Sequence, residues 1–137
     1  MYEAYFQLQK RPFSATPDPS CFFAPEPIQE LFDELVLRAE SGQGIGILTA
    51  HAGTGKTLVC RRIAAELGGR FTPIFLANAN FPTRRALLQS ILFELKKRFS
   101  GLEEQELRLA VYASLKELTL AGRGVVLIVD EAHLLNE

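Results

Sequence analysis

No stretch of this 137-residue sequence approaches the ~20 consecutive apolar residues that a membrane-spanning helix needs. The opening Met1-Tyr2-Glu3-Ala4-Tyr5 has neither the basic start nor the apolar core of a secretory signal. Cysteine is scarce: Cys21 and Cys60 lie far apart and match no metal or disulfide framework. A reducing cytoplasm is the setting this implies, and Cys60, inside a helical pattern, is expected to be a small core residue. Charge of one sign is lacking too. The net charge of −1 gives no global pull toward nucleic acid or an anionic membrane, though local basic patches stay open. What is present is ordinary for a soluble globular chain, 47% hydrophobic and 23% charged, at a length that suits one domain with a real core.

The chain is organised around Ala50-His51-Ala52-Gly53-Thr54-Gly55-Lys56-Thr57. This is the G-x-x-x-x-G-K-[ST] phosphate-loop pattern with Ala in the first Gly position. Ile45 to Thr49 before it is an apolar run short enough to be a buried strand, and Leu58 to Leu67 after it has a helical pattern. Gly53 and Gly55 let the backbone close around a phosphate with its N–H groups inward, and the helix N-terminus adds partial positive charge at the same place. The candidate nucleotide-binding residues are therefore Ala50, His51, Ala52, Gly53, Thr54, Gly55, Lys56, Thr57 and Leu58. Lys56 reaches the β- and γ-phosphates, and the Thr57 hydroxyl ligates Mg²⁺. The alternative, a glycine turn that happens to contain Lys, does not account for the flanking strand and helix patterns.

Residues 1–25 interleave Tyr2, Tyr5, Phe6, Phe13, Phe22 and Phe23 with Pro12, Pro17, Pro19 and Pro25, which rules out a continuous helix. Thr16-Pro17-Asp18-Pro19 predicts a turn. This segment is expected to wrap the domain and plug most of its aromatics into the core; which aromatic meets an adenine, if any, stays open. Residues 26–137 then form the second region. Pro27 to Ser41 predicts a helix burying Ile28, Leu31, Phe32, Leu35, Val36 and Ala39, with Gly42 as a left-handed cap. Phe71 to Leu76 predicts a strand that Pro73 confines to a sheet edge. Thr83 predicts an N-cap for a helix running to about Phe99, buried through Leu88, Ile91, Leu92, Leu95 and Phe99. A further helix spans roughly Glu103 to Leu120 and buries Leu107, Val111, Leu115 and Leu118. Arg84, Arg85, Lys96, Lys97 and Arg98 could touch a polyanion, but acidic residues along the chain balance them, and solvated helix faces are the expected account.

Val125 to Val129 is an uninterrupted apolar run, the pattern of a central parallel strand covered on both faces. Asp130 and Glu131 follow at its C-terminal end. They could simply terminate a strand, but parallel strands bring their C-terminal ends to one edge, where ligands collect. With the phosphate loop in the same chain, Asp130 is placed to hold Mg²⁺ and Glu131 to polarise the attacking water as general base. The expected catalytic residues are Lys56 and Glu131, and the expected metal ligands Thr57 and Asp130.

Two families share this pair of motifs. Ala50–Thr57 and Asp130-Glu131-Ala132-His133 resemble the first motif and the DEAH box of superfamily-two helicases, and Pro82-Thr83-Arg84 is similar to a helicase nucleic-acid motif. Pro82-Thr83-Arg84, however, is expected to cap a helix here, and the residues up to Glu137 include no later helicase motif. The second resemblance covers almost the whole chain and is to the ExeA-type AAA ATPases of bacterial general secretion and MSHA-type pilus assembly. It rests on Tyr2-Glu3-Ala4-Tyr5-Phe6-x-Leu8, Arg11-Pro12-Phe13, Thr16-Pro17-Asp18-Pro19, Thr49 to Thr57, the Asn-containing loop after the second strand, Ala86 to Leu92 and Gly124 to Ala132. Ala50 departs from the Gly usual in the family, which is tolerable if its backbone is not left-handed. His133 stands where Gln is more common, and a polar side chain there could sense the γ-phosphate.

The ExeA-type resemblance implies an α/β fold, the three-layer P-loop NTPase (AAA/ASCE) parallel sheet with helices on both faces, stopping after the Walker B strand. It implies that a strand between the phosphate-loop strand and the Asp130 strand, an arginine finger and a helical lid come after Glu137, and that these residues alone turn ATP over very slowly. It further implies ATP and Mg²⁺ as ligand and cofactor, a homo-oligomer in the complete protein, and secretion or pilus envelope components as partners. The expected location is the cytoplasm, at the inner face of the inner membrane through regions beyond these residues. A DEAH-type helicase or transposition ATPase acting on nucleic acid is the rival enzyme, and a regulatory nucleotide sensor without turnover is the rival outside enzymology.

Overall fold

A computed structural model describes residues 2–8, 22–42 and 44–135. A short helix α1 (Tyr2–Tyr5) precedes α2 (Glu26–Glu40) and α3 (Lys56–Leu67). Then follow β1 (Phe71–Leu76), α4 (Arg84–Glu94), α5 (Glu104–Leu120), β2 (Gly124–Val129) and a one-turn 3₁₀ helix at Ala132–Leu134. The turn expected at Thr16–Pro19, Phe13 and the setting of Cys21 lie outside the described residues.

β1 and β2 pair in parallel, from Phe71 opposite Gly124 to Leu76 opposite Val129, with the α4–α5 hairpin as the crossover. Side chains alternate across a strand, and this divides the core. Phe71, Val126 and Ile128 pack with Val59, Ile63 and Leu67 of α3 and Phe32 of α2. Ile74 and Leu76 are buried on the opposite face, where α4 touches β1 and α5 touches β2. A second cluster, Leu92, Leu107 and Val111, joins α4 to α5. Helices on both faces of a parallel sheet give the expected α/β layering.

Pro73 sits where its missing donor does no harm. The Asp130 N–H donates to Leu76 O at 2.9 Å, so Thr72, Ile74 and Leu76 turn their backbone groups to β2. Phe71, Pro73 and Phe75 turn theirs to the outer edge, and an imide nitrogen there cannot recruit another strand.

Several helix ends follow their sequence signals. Thr83 accepts from Ala86 N–H at 3.1 Å, and Gly42 takes a left-handed φ of 66° after α2. Glu103 and Glu106 form a reciprocal capping box at the start of α5. α4, however, ends at Glu94 rather than near Phe99. Lys96 adopts a left-handed φ of 54°, and the N–H groups of Lys96 and Lys97 donate to Phe93 O and Leu92 O. This is a Schellman stop built without glycine, which lets the chain turn back so that Phe99 and Leu102 pack against the α4–α5 cluster.

Three expectations need correcting. Residues 45–49 form no strand: Ile45 and Ile47 are 87% and 80% exposed, and only Leu48 reaches the core. An apolar run becomes a strand only beside a backbone that completes its ladder, and among the described residues β1 and β2 pair solely with each other. β2 is covered less fully than expected: α3 and α5 touch it from opposite faces, but Leu127 is 50% exposed. Of the described N-terminal aromatics, only Phe22 packs inward, against Phe32, while Tyr2, Tyr5, Phe6 and Phe23 are exposed.

Candidate nucleotide-binding site

The phosphate loop is shaped by two left-handed glycines. Gly53 and Gly55 have φ of 79° and 87°, and no atom lies within 4 Å of where a Cβ would stand, so backbone conformation rather than crowding calls for glycine. Ala50 is not left-handed, which meets the condition for Ala at that position. Gly55 caps α3 without help from a side chain, and its carbonyl accepts from Leu58 and Val59 N–H. Among the described residues the Lys56 and Thr57 N–H groups find no acceptor. They stand at a helix start whose dipole favours an anion.

The loop's polar groups are turned on one another. Lys56 Nζ donates to Ala50 O at 3.0 Å and to His51 O at 2.9 Å, and Thr54 Oγ1 donates to His51 O at 2.8 Å. Lys56 is thereby folded across the mouth of the loop and makes no ion pair with Asp130 or Glu131 among the described residues. Its ammonium is held by neutral carbonyls, which a phosphate oxygen outcompetes as an acceptor. Ala52 is exposed at the tip of the loop, and Leu58 is half-buried in the first turn of α3.

The two motifs meet in one hydrogen bond. Thr57 Oγ1 donates to Asp130 Oδ2 at 2.6 Å, across 73 positions of sequence. Asp130 is buried at the end of β2, anchored by its N–H on Leu76 O. Its other oxygen, Oδ1, accepts from Glu131 N–H at 2.9 Å. Glu131 itself is left-handed, at φ 52° and ψ 38°, and leads into the 3₁₀ turn. Its Oε2 lies 3.4 Å from His133 Nδ1. A hydroxyl and a carboxylate oxygen in direct contact, beside free N–H groups, form a hard-oxygen donor set that suits Mg²⁺ together with phosphate oxygens and water.

Cys60 was expected to be a plain core residue. It is half-buried on α3, and burial pushes its thiol up from the ordinary value, with the charge of Asp130 adding to the shift. It flanks the site as a neutral thiol. Arg61 lies over the Phe75 ring, 5.3 Å from its centroid. Neither contact has a sequence signature, because both depend on how α3 lies on the sheet.

The basic residues weighed for a polyanion are partly committed elsewhere. Arg85 donates to Leu102 O at 2.8 Å, and Lys97 pairs with Glu117 at 2.8 Å.

Comparisons with known proteins agree with this geometry. A family model described as an AAA domain matches residues 38–137, which is well over half the chain. At 31% identity over 140 aligned residues, 98% of the chain is similar to General secretion pathway protein A of Aeromonas hydrophila, and the chain spans 25% of that relative's length. No solved structure matches. The ExeA-type resemblance seen in the motifs is supported by both matches, and the chain belongs to the AAA domain family of P-loop NTPases.

Proposed function

We propose that the chain binds ATP with Mg²⁺ and that the site hydrolyses it. The observation that carries this reading is the 2.6 Å contact between Thr57 Oγ1 and Asp130 Oδ2, which joins the phosphate loop to the acidic strand end. Mg²⁺, when bound, neutralises the phosphate charge and orients the γ-phosphoryl group; Thr57 and Asp130 are the residues that would hold it. Lys56 leaves the Ala50 and His51 carbonyls to pair with the β- and γ-phosphates. The free N–H groups of Lys56 and Thr57 cradle the same oxygens. Glu131, next to Asp130, accepts the proton of the attacking water.

The similarity to General secretion pathway protein A supports a role in a bacterial secretion or pilus envelope complex, with ATP turnover driving assembly or remodelling. In this reading the complete protein is a homo-oligomer working at the cytoplasmic face of the inner membrane. Among the described residues no helix is long and apolar enough to cross a membrane.

ATP turnover measured with and without added DNA or RNA tests the reading. A slow, Mg²⁺-dependent rate that nucleic acid does not change is expected. Stimulation by nucleic acid favours the helicase or transposition reading, and steady rapid turnover that survives Lys56→Ala contradicts the proposed site.

A further inference from the structure

We propose that His133 is a positioning residue for Glu131, one that selects the direction of its carboxylate and thereby the rate of water attack. The inference rests on the proposed role of Glu131 as general base. Residues two apart on a helix do not face each other. Here Glu131 is left-handed and stands at the start of the turn, and its carboxylate lies 3.4 Å from the imidazole. That conformation is held from both sides. Glu131 N–H donates to Asp130 Oδ1, Leu134 N–H donates to Glu131 O at 2.9 Å, and Leu135 N–H donates to Ala132 O at 3.1 Å. The 3₁₀ turn sets the two backbones so that the imidazole lies beside the carboxylate, with Nδ1 3.4 Å from Glu131 Oε2.

Both side chains are exposed, and a pair so open to water stabilises a fold little. A left-handed non-glycine residue is also unfavourable unless its surroundings hold it. The arrangement is better explained by orientation than by stability. Glutamate has three side-chain torsions and would otherwise sample many directions from an exposed turn; an imidazole nitrogen 3.4 Å from its carboxylate narrows them. A general base works only within hydrogen-bond reach of its water, so a group that sets its direction acts on the chemical step and not on nucleotide affinity.

Single-turnover hydrolysis of labelled ATP, with the protein in excess, separates rate from binding, and ATP affinity is titrated in parallel. His133→Ala is expected to lower the rate constant about tenfold, as misplacement of a general base does, with affinity unchanged. His133→Gln, which keeps a side-chain donor, is expected to recover most of the rate. An unchanged rate in His133→Ala overturns the proposal, as does a loss that His133→Gln does not rescue. Glu131→Gln is run beside them. If it hydrolyses ATP like the wild type, or the wild type binds ATP without any hydrolysis, the general-base reading fails and the role of His133 falls with it. If Glu131→Gln is inactive and His133→Ala is not impaired, only the positioning role is lost.

Discussion

The Thr57 hydroxyl donates to the Asp130 carboxylate at 2.6 Å, tying the first turn of α3 to the end of β2. Such a contact is where a divalent ion would share both oxygens. Thr57→Ala and Asp130→Asn should therefore weaken ATP binding in Mg²⁺ by about tenfold or more, roughly 1.4 kcal/mol. Binding in excess chelator should change little. Equal losses with and without Mg²⁺, seen by titration, would place these residues outside the metal site.

Gly124 starts β2 against the Phe71 ring. A Cβ there would stand 2.4 Å from two ring carbons, so Gly124→Ala forces the ring or the strand to move. Overpacking of this kind costs about 1–3 kcal/mol. Denaturant unfolding should show that loss for Gly124→Ala and a smaller one in the Gly124→Ala, Phe71→Leu double variant, which gives the methyl room.

Lys96 carries the left-handed turn that ends α4, at φ 54°. Glycine adopts that region without the steric cost of a Cβ. Lys96→Gly should raise unfolding free energy by about 0.5–1 kcal/mol, read as a higher denaturant midpoint at unchanged slope. A lower midpoint would mean that the Lys96 side chain contributes more than its backbone costs.

Features decided within a few residues were legible in the sequence. The phosphate loop needs glycine at its left-handed positions, and Gly53 and Gly55 supply it. The Thr83 cap, the Gly42 cap and the edge position of Pro73 each follow from one residue's own chemistry. The burial of α5 through Leu107 and Val111 follows from its period. Features decided by distant backbone were not legible. Residues 45–49 read as a strand, but pairing depends on a neighbour that the run itself does not specify. The stop at Lys96 has no local signal, because its left-handed turn is carried by lysine where glycine is the usual mark. At the site, the logic of parallel strand ends put Thr57 and Asp130 at one edge, and a hydrogen bond joins them there. The Glu131–His133 contact was hidden, because it requires a left-handed glutamate that no local pattern announces.

Glu131 separates binding from chemistry. Glu131→Gln keeps the size of the side chain and removes its basicity. It should bind ATP as the wild type does and lose about 10²-fold or more in single-turnover rate, the usual contribution of a general base. A parallel loss of affinity would instead assign Glu131 to holding the nucleotide.

The central claim is that Ala50–Thr57 and Asp130 form one Mg²⁺-ATP site. Calorimetric titration of ATP into the protein, with Mg²⁺ and then with chelator, tests it most directly when repeated on Lys56→Ala. The account predicts saturable one-to-one binding that tightens with Mg²⁺ and is lost in Lys56→Ala, with the fold unchanged by circular dichroism. Binding of equal strength in Lys56→Ala, or no binding by a folded wild type, would contradict it.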